Sequence, residues 1–120
     1  MKVAVTSQGR HTSSQIDLFF GRAAYLVIVD TDVDGFSVFD NTASIHAEED
    51  AGIRTAMTIV DVGADAVITG NVGPKAFAAM KAANIKVFLG ASGTVREALD
   101  ALKDEGFQPA DTANVKGQCA

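Results

Sequence analysis

The chain has 120 residues, enough for one modest hydrophobic core that buries about two-thirds of the unfolded surface and too few for two. With 48% hydrophobic and 21% charged residues, two prolines and eleven glycines, it is neither disordered nor collagen-like. Fifteen acids against ten bases, a net charge of −5, oppose broad binding to a phosphate backbone, and a single cysteine, Cys119, excludes a disulfide framework or a Cys-rich zinc or iron–sulfur site.

Lys2 to Ser7 alternates Val3 and Val5 with small residues and stops at the turn-prone Ser7-Gln8-Gly9, which predicts a first strand. Residues 8 to 15 are polar and turn-rich, and Ile16-Asp17-Leu18-Phe19-Phe20 leads on into Gly21-Arg22-Ala23. The β-branched run Ala24 to Asp30 predicts a second strand and Phe36 to Asp40 a third, with the short Asp-rich segment Thr31 to Gly35 joining them as a hairpin. After a polar loop over 41–49, Ile53, Ala56, Met57 and Val60 fall at i, i+3, i+4, i+7, the core-facing stripe of a helix that ends near Gly63. Ala66 to Thr69 predicts a buried strand. Pro74 suits the first turn of a helix that turns Phe77 and Met80 inward. Ile85 to Leu89 predicts a fifth strand, and Val95, Ala98, Leu99 and Leu102 a last helical stripe closing near Gly106.

The order β-β-β-α-β-α-β-α fits one α/β domain over 1–107, a five-stranded mixed sheet with helices on both faces in a layout that resembles the ribonuclease H-like fold. Residues 108–120 have no periodicity and are expected to form a flexible tail. No apolar run approaches the twenty residues of a membrane span, and the N-terminal residues form no signal-like apolar stretch, so a cytoplasmic location is expected.

Three signals carry candidate chemistry. Asp30-Thr31-Asp32-Val33-Asp34-Gly35 matches the first half of a calcium loop, but Val38 and Asn41 stand where the second half needs oxygen ligands, and strands flank it, so it reads as an acidic hairpin turn. The second signal is a pair of glycine-rich loops, Gly70-Asn71-Val72-Gly73-Pro74-Lys75 and Gly90-Ala91-Ser92-Gly93-Thr94, each leaving a parallel strand and opening a helix. In an open α/β sheet such a crevice favours an anion, because free N–H groups and positive helix ends converge there. Ser92 and Thr94 can either cap the helix or donate to a ligand, and Lys75 adds a charge. Neither loop is a phosphate-binding P-loop or a dinucleotide fingerprint. The third signal is His11 and His46 in polar loops, candidate metal ligands without paired spacing; Cys119, next to the last residue, reads as an exposed thiol.

Two-metal nuclease chemistry needs carboxylates at the ends of the first and fourth strands. Lys2 to Ser7 and Ala66 to Asn71 hold none, and Asp65 precedes its strand. Nor does any nucleophile elbow or supported Cys–His couple stand out.

Phe20-Gly21-Arg22-Ala23 after a Ser-rich loop, Asn41 and Ala51-Gly52 before the first helix, Gly73-Pro74-Lys75-Ala76 after the fourth strand, and Gly90 through Val95 after the fifth resemble the dinitrogenase iron-molybdenum cofactor biosynthesis family, from Lys2 to about Gly106. Without a cysteine cluster, the chain is most similar to that family's orange-protein branch of sulfate-reducing bacteria. The resemblance implies a ribonuclease H-like fold, no catalytic activity, and non-covalent storage or delivery of an anionic metal-sulfide cluster. For that branch the implied cluster is a molybdenum-copper sulfide; for the wider family it is the iron-molybdenum cofactor or a precursor. The family often carries histidines before the first helix, where this chain has Ala47-Glu48-Glu49-Asp50 and only His46.

The expected cluster site comprises Arg22, Asn71, Val72, Gly73, Lys75, Ala91, Ser92, Gly93 and Thr94. In it Gly73, Lys75, Gly93 and Thr94 supply donors, Arg22 and Lys75 charge, and Val72 and Ala91 apolar walls. The charge is unevenly spread. Seven of the fifteen acids lie between Asp30 and Asp50, whereas Lys75, Lys81, Lys86 and Arg96 precede the first acid after residue 70, which suggests one locally positive crevice. Two other readings stand beside the cluster: an enzyme or sensor for a phosphorylated small molecule in the same crevice, and a protein-interaction module acting through the acidic 30–50 stretch. Protein partners are compatible with each; nucleic acid and membrane are not expected.

Overall fold

Short β-branched runs pair into one five-stranded sheet, and the computed structural model describes residues 1–33, 35–45, 50–104 and 108–114 of it. The strands are β1 (Lys2–Ser7), β2 (Tyr25–Asp30), β3 (Phe36–Asp40), β4 (Ala66–Ile68) and β5 (Lys86–Phe88), in spatial order β3-β2-β1-β4-β5. The hairpin β2–β3 and the pair β1–β2 are antiparallel; β1, β4 and β5 run parallel, with Val5 opposite Ile68 and Ile68 opposite Phe88. The expected mixed α/β sheet is therefore present. The central strands are apolar on both faces, as β1 and β4 buried between two helical layers require.

The helices are α1 (Thr42–Ile45), α2 (Ala51–Asp61), α3 (Pro74–Ala82) and α4 (Val95–Lys103), with a 3-10 turn at Phe20–Arg22. Alternation along the strands separates two cores. Ala4, Leu26 and Val67 pack with Phe20 of the 3-10 turn, Ile59 of α2 and Met80 of α3 on one face. Val3, Val5, Val27 and Ile68 pack with Val95, Ala98 and Leu99 of α4 on the other. The stripe expected for α4 is thus the buried one, and Gly63 takes the left-handed conformation (φ +74°) that ends α2.

The stripe expected for α2 is displaced. Ala51, Gly52, Thr55, Ala56 and Ile59 are buried, whereas Met57 and Val60 are 58% and 45% exposed. Two local contacts set this rotation. A Cβ on Gly21 would stand 2.9 Å from the Gly52 nitrogen, so the 3-10 turn lies directly on the small-residue face of α2. Thr55, polar but buried, donates to the Ala51 carbonyl (3.0 Å) and accepts from the Asn41 side-chain amide (3.0 Å). The turn α1 was not expected; Asp40 accepts at its start from both the Thr42 N–H (2.9 Å) and hydroxyl (2.6 Å). Of the segment expected as a tail, residues 108–114 bond to the domain: the Ala110 N–H reaches the Val87 carbonyl (2.7 Å) and Asn114 reaches the exit of β4.

Candidate anion-binding site

Because β1, β4 and β5 are parallel, their carboxyl ends open on the same edge of the sheet, where Ser7, Thr69-Gly70 and Leu89-Gly90 leave the ladder. The two glycine-rich loops are adjacent there: the Gly90 N–H donates to the Gly70 carbonyl (2.9 Å) and the Ala91 N–H to the Thr69 carbonyl (3.2 Å). Residues 8–24 cross this edge as a strap. Its backbone bonds to β1 through Asp17 N–H to Thr6 O (3.0 Å), to the β5 loop through Ile16 N–H to Gly93 O (2.9 Å), and to the β4 loop through Phe20 N–H to Asn71 O (3.0 Å). A Cβ on Gly70 would lie 2.7 Å from the Leu18 carbonyl, so the strap lies against the exit of β4.

The helix starts that follow the two glycine-rich loops, those of α3 and α4, differ. At α4 the donors are engaged. The Val95 N–H donates to the Ser14 carbonyl (3.0 Å) and the Arg96 N–H to the Thr12 carbonyl (2.8 Å). Thr94 and Glu97 form a reciprocal capping box, Thr94 Oγ1 accepting from the Glu97 N–H (3.1 Å) and Glu97 Oε1 from the Thr94 N–H (3.0 Å). Thr94 therefore caps the helix. At α3 the first helical residue is Pro74, which has no N–H; Gly73 precedes it in extended conformation (φ −80°, ψ 167°), and no side chain caps the end. Among the described residues the N–H groups of Lys75 and Ala76 have no acceptor, and Lys75 is exposed.

Side chains complete the α3 approach. Asn71 donates from Nδ2 to the Leu18 carbonyl (3.0 Å). Asn114 accepts from the Val72 N–H (2.8 Å) and donates to the Gly70 carbonyl (3.1 Å) and Asn71 Oδ1 (3.2 Å). Leu18 and Phe19 are 44% and 45% exposed, an apolar surface joined to Asn71 by the strap's bridge. Asp17, a half-buried residue of the strap itself, has its carboxyl raised above the usual range by burial, opposed by the N–H groups of Ala24, Phe19 and Leu18.

Asn71, Val72, Gly73 and Lys75 thus stand together, with Ala91, Ser92, Gly93 and Thr94 on the adjoining loop. Val72 and Ala91, expected as walls, are 0% and 3% exposed and belong to the two cores; Leu18 and Phe19 are the apolar surface instead. Arg22 is exposed at the end of the 3-10 turn that packs on α2. The expected cluster of cations is dispersed. Lys86 begins β5 at the far edge of the sheet, Lys81 lies near the end of α3 over the Phe77 ring (5.9 Å), and Arg96 faces the β2–β3 hairpin. Only Lys75 of the four stands at the loops.

His11 is exposed with its ring edge on Phe36 (centroids 6.2 Å apart); His46 and Cys119 lie outside the described residues. Among the described residues no three of His, Cys, Asp or Glu are grouped to hold a metal ion. Asp30 and Asp32 of the acidic hairpin are bonded instead to the Met1 ammonium, at 3.6 and 3.0 Å. Asp65 sits at the opposite sheet edge, accepting from the Lys2 N–H (2.8 Å). Among the described residues no helix is long and apolar enough to cross a membrane.

A mixed α/β sheet thus carries a strap across its carboxyl edge, with the start of α3 beside that strap uncapped by any side chain. The chain belongs to the dinitrogenase iron-molybdenum cofactor family, whose model matches residues 1–105. It is similar to the apo form of the orange protein from Desulfovibrio gigas, at 39% identity over 95% of this chain and 96% of that one, with a TM-score of 0.92. A Thermotoga protein of the DUF35 family is 34% identical over 97% and 98% of the two chains, with a TM-score of 0.81. A Methanocaldococcus jannaschii protein at 17% identity and a TM-score of 0.70, over 93% and 96% of the chains, shares the fold. No match is found among curated protein sequences.

Proposed function

We propose that this protein binds an anionic molybdenum-containing metal-sulfide cluster, a molybdenum-copper sulfide, without covalent bonds, and stores or delivers it rather than transforming it. The observation that carries the reading is the asymmetry of the two helix starts: α4 is sealed by the strap and its capping box, while α3 presents unbonded N–H groups beside Lys75. A thiometallate is bulky, polarizable and negative. The donor set fits it: N–H groups and a cation for the charge, exposed Leu18 and Phe19 for the sulfide surface, and no group of side-chain ligands among the described residues to compete for the metals. In this reading Gly73, Lys75 and Asn71 hold the cluster, with Arg22 and Ser92 at its margins. Ala91, Gly93, Thr94 and Val72 build the loops from behind. An iron-molybdenum cofactor or its precursor is the wider family's alternative cargo.

The family match and the likeness to the orange protein support the cluster class. Reconstitution of the apo protein with tetrathiomolybdate and copper, followed by visible spectroscopy and metal analysis after gel filtration, tests it. Wild type is expected to retain molybdenum and copper, and Lys75→Glu to retain about tenfold less at limiting cluster, the cost of reversing a charge at the site. Displacement of the cluster by millimolar inorganic phosphate would instead favour a phosphorylated small molecule as ligand.

A further inference from the structure

A cavity of about 540 Å³ lies away from the glycine-rich loops, between α4 and the β2–β3 hairpin. Its floor is the part of the sheet that α4 does not cover. Val29 and Phe36 are opposite each other in the β2–β3 register, and Phe36 and Val33 are 43% and 63% exposed. Its opposite wall is a stripe of α4, Arg96, Leu99 and Lys103, spaced i, i+3, i+7, which sets the two cations about 10 Å apart along the helix with an apolar side chain between them.

Charge decides what such a groove takes. Among the described acids of its rim, Asp30 and Asp32 share the one ammonium of Met1, and Asp30 also accepts from the Asp32 N–H (2.9 Å). Among the described residues neither Arg96 nor Lys103 has a carboxylate partner. Among the described residues here Arg96, Lys103 and the Met1 ammonium outnumber Asp30 and Asp32 by one positive charge in a chain of net charge −5, over an apolar floor of ligand-pocket size, about 300–1,000 Å³ being usual. We propose that this groove is a second binding site, for a small amphipathic organic anion: an apolar ring or chain against Phe36, Val29 and Leu99, with its acidic group on Arg96 or Lys103. A cation is disfavoured by the Arg96 and Lys103 charges on the α4 wall. A bare inorganic anion leaves the floor unused.

The arylsulfonate dye 8-anilinonaphthalene-1-sulfonate, titrated into the full chain, tests this by fluorescence. The expected result is saturable binding of one dye per chain, weakened about tenfold in both Arg96→Glu and Lys103→Glu. A benzoate-type aryl carboxylate displaces the dye, and sulfate at the same concentration does not. Both positions are exposed, so the variants are expected to keep the wild-type circular dichroism; Phe36→Ser tests the floor. Non-saturable binding unaffected by either charge reversal, or displacement by sulfate as effective as by the aryl carboxylate, would overturn the proposal. So would stoichiometric displacement by tetrathiomolybdate, which would make this groove and the cluster site one.

Discussion

The Asn71 side-chain amide donates to the Leu18 carbonyl over 3.0 Å, tying the middle of the strap to the loop that opens α3. Two residues further along the strap, the Phe20 N–H returns to the Asn71 carbonyl, so one asparagine holds the strap through both its side chain and its backbone. Asn71→Ala keeps the backbone bond and removes the side-chain bonds to the Leu18 carbonyl and from the Asn114 amide. The expected cost is about 1–2 kcal/mol in urea unfolding, with faster amide hydrogen exchange over Asp17 through Phe20. Protection unchanged over those residues would show that the side chain does not hold the strap.

Gly21 and Gly70 are close-approach glycines of a different kind. A methyl on Gly21 meets the Gly52 backbone, and one on Gly70 meets the Leu18 carbonyl; neither neighbour is the end of a flexible side chain. Gly21→Ala is expected to lose about 1–3 kcal/mol by displacing the 3-10 turn from α2. Gly90, where nothing lies within 4 Å of an added Cβ, meets no such clash; with φ +79°, an alanine there carries the cost of a left-handed backbone. Chemical denaturation of the two alanine variants separates steric from conformational cost, since only Gly21→Ala should also disturb Phe20 and Gly52 in amide spectra.

Thr94 is the N-cap of α4 and Lys75 the second residue of α3, and substitutions at the two are expected to fail differently. Thr94→Ala removes the capping side chain from α4 and should cost about 1 kcal/mol of stability with cluster uptake retained. Lys75→Glu, at an exposed position, should leave the melting temperature close to wild type and depress uptake. The reverse pattern would place the ligand on α4.

Among the described carboxylates, Asp30, Asp40 and Asp17 depart from the ordinary range and make stability depend on pH at its acid end. The bonds from Thr42 hold Asp40 below its ordinary value, and the Asp32 N–H does the same for Asp30. Their contribution is present above the unfolded value of about 3.8 and is lost as pH falls through the lower folded value. Asp17 has the opposite sign: its raised value makes its contribution full below 3.8 and lost as pH rises through the folded value. Thermal melts from pH 2.5 to 6 should therefore show Asp40→Asn losing less stability than wild type below pH 4. Asp17→Asn should gain on wild type as pH rises above 4.

The five strands were legible because each is a run of β-branched or small apolar residues closed by glycine or a polar turn, and the helices around Phe77 and Leu99 because their apolar residues fall at helical spacing. The α2 stripe was misplaced because its buried face is Gly52, Thr55 and Ala56, small residues suited to contact with Gly21 and Asn41, whereas Met57 and Val60 look more apolar. The strap left no side-chain periodicity, since most of its bonds are backbone to backbone. Thr94 and Glu97 carried a readable signal, the T-x-x-E spacing of a capping box, which by itself distinguishes the α4 loop from the α3 loop. Asn114 had none: a lone asparagine in an aperiodic segment reveals nothing of the strand exit it reaches.

Amide proton–nitrogen spectra of the labelled protein during titration with tetrathiomolybdate discriminate the start of α3 from that of α4 as the place that receives the anionic cluster. Saturable shifts are expected at Gly73, Lys75 and Ala76, smaller ones at Leu18 and Phe19, and none at Val95 and Arg96, whose N–H groups are already bonded to the strap. Shifts concentrated at Ser92 through Arg96, with Lys75 and Ala76 unmoved, would contradict a site at α3.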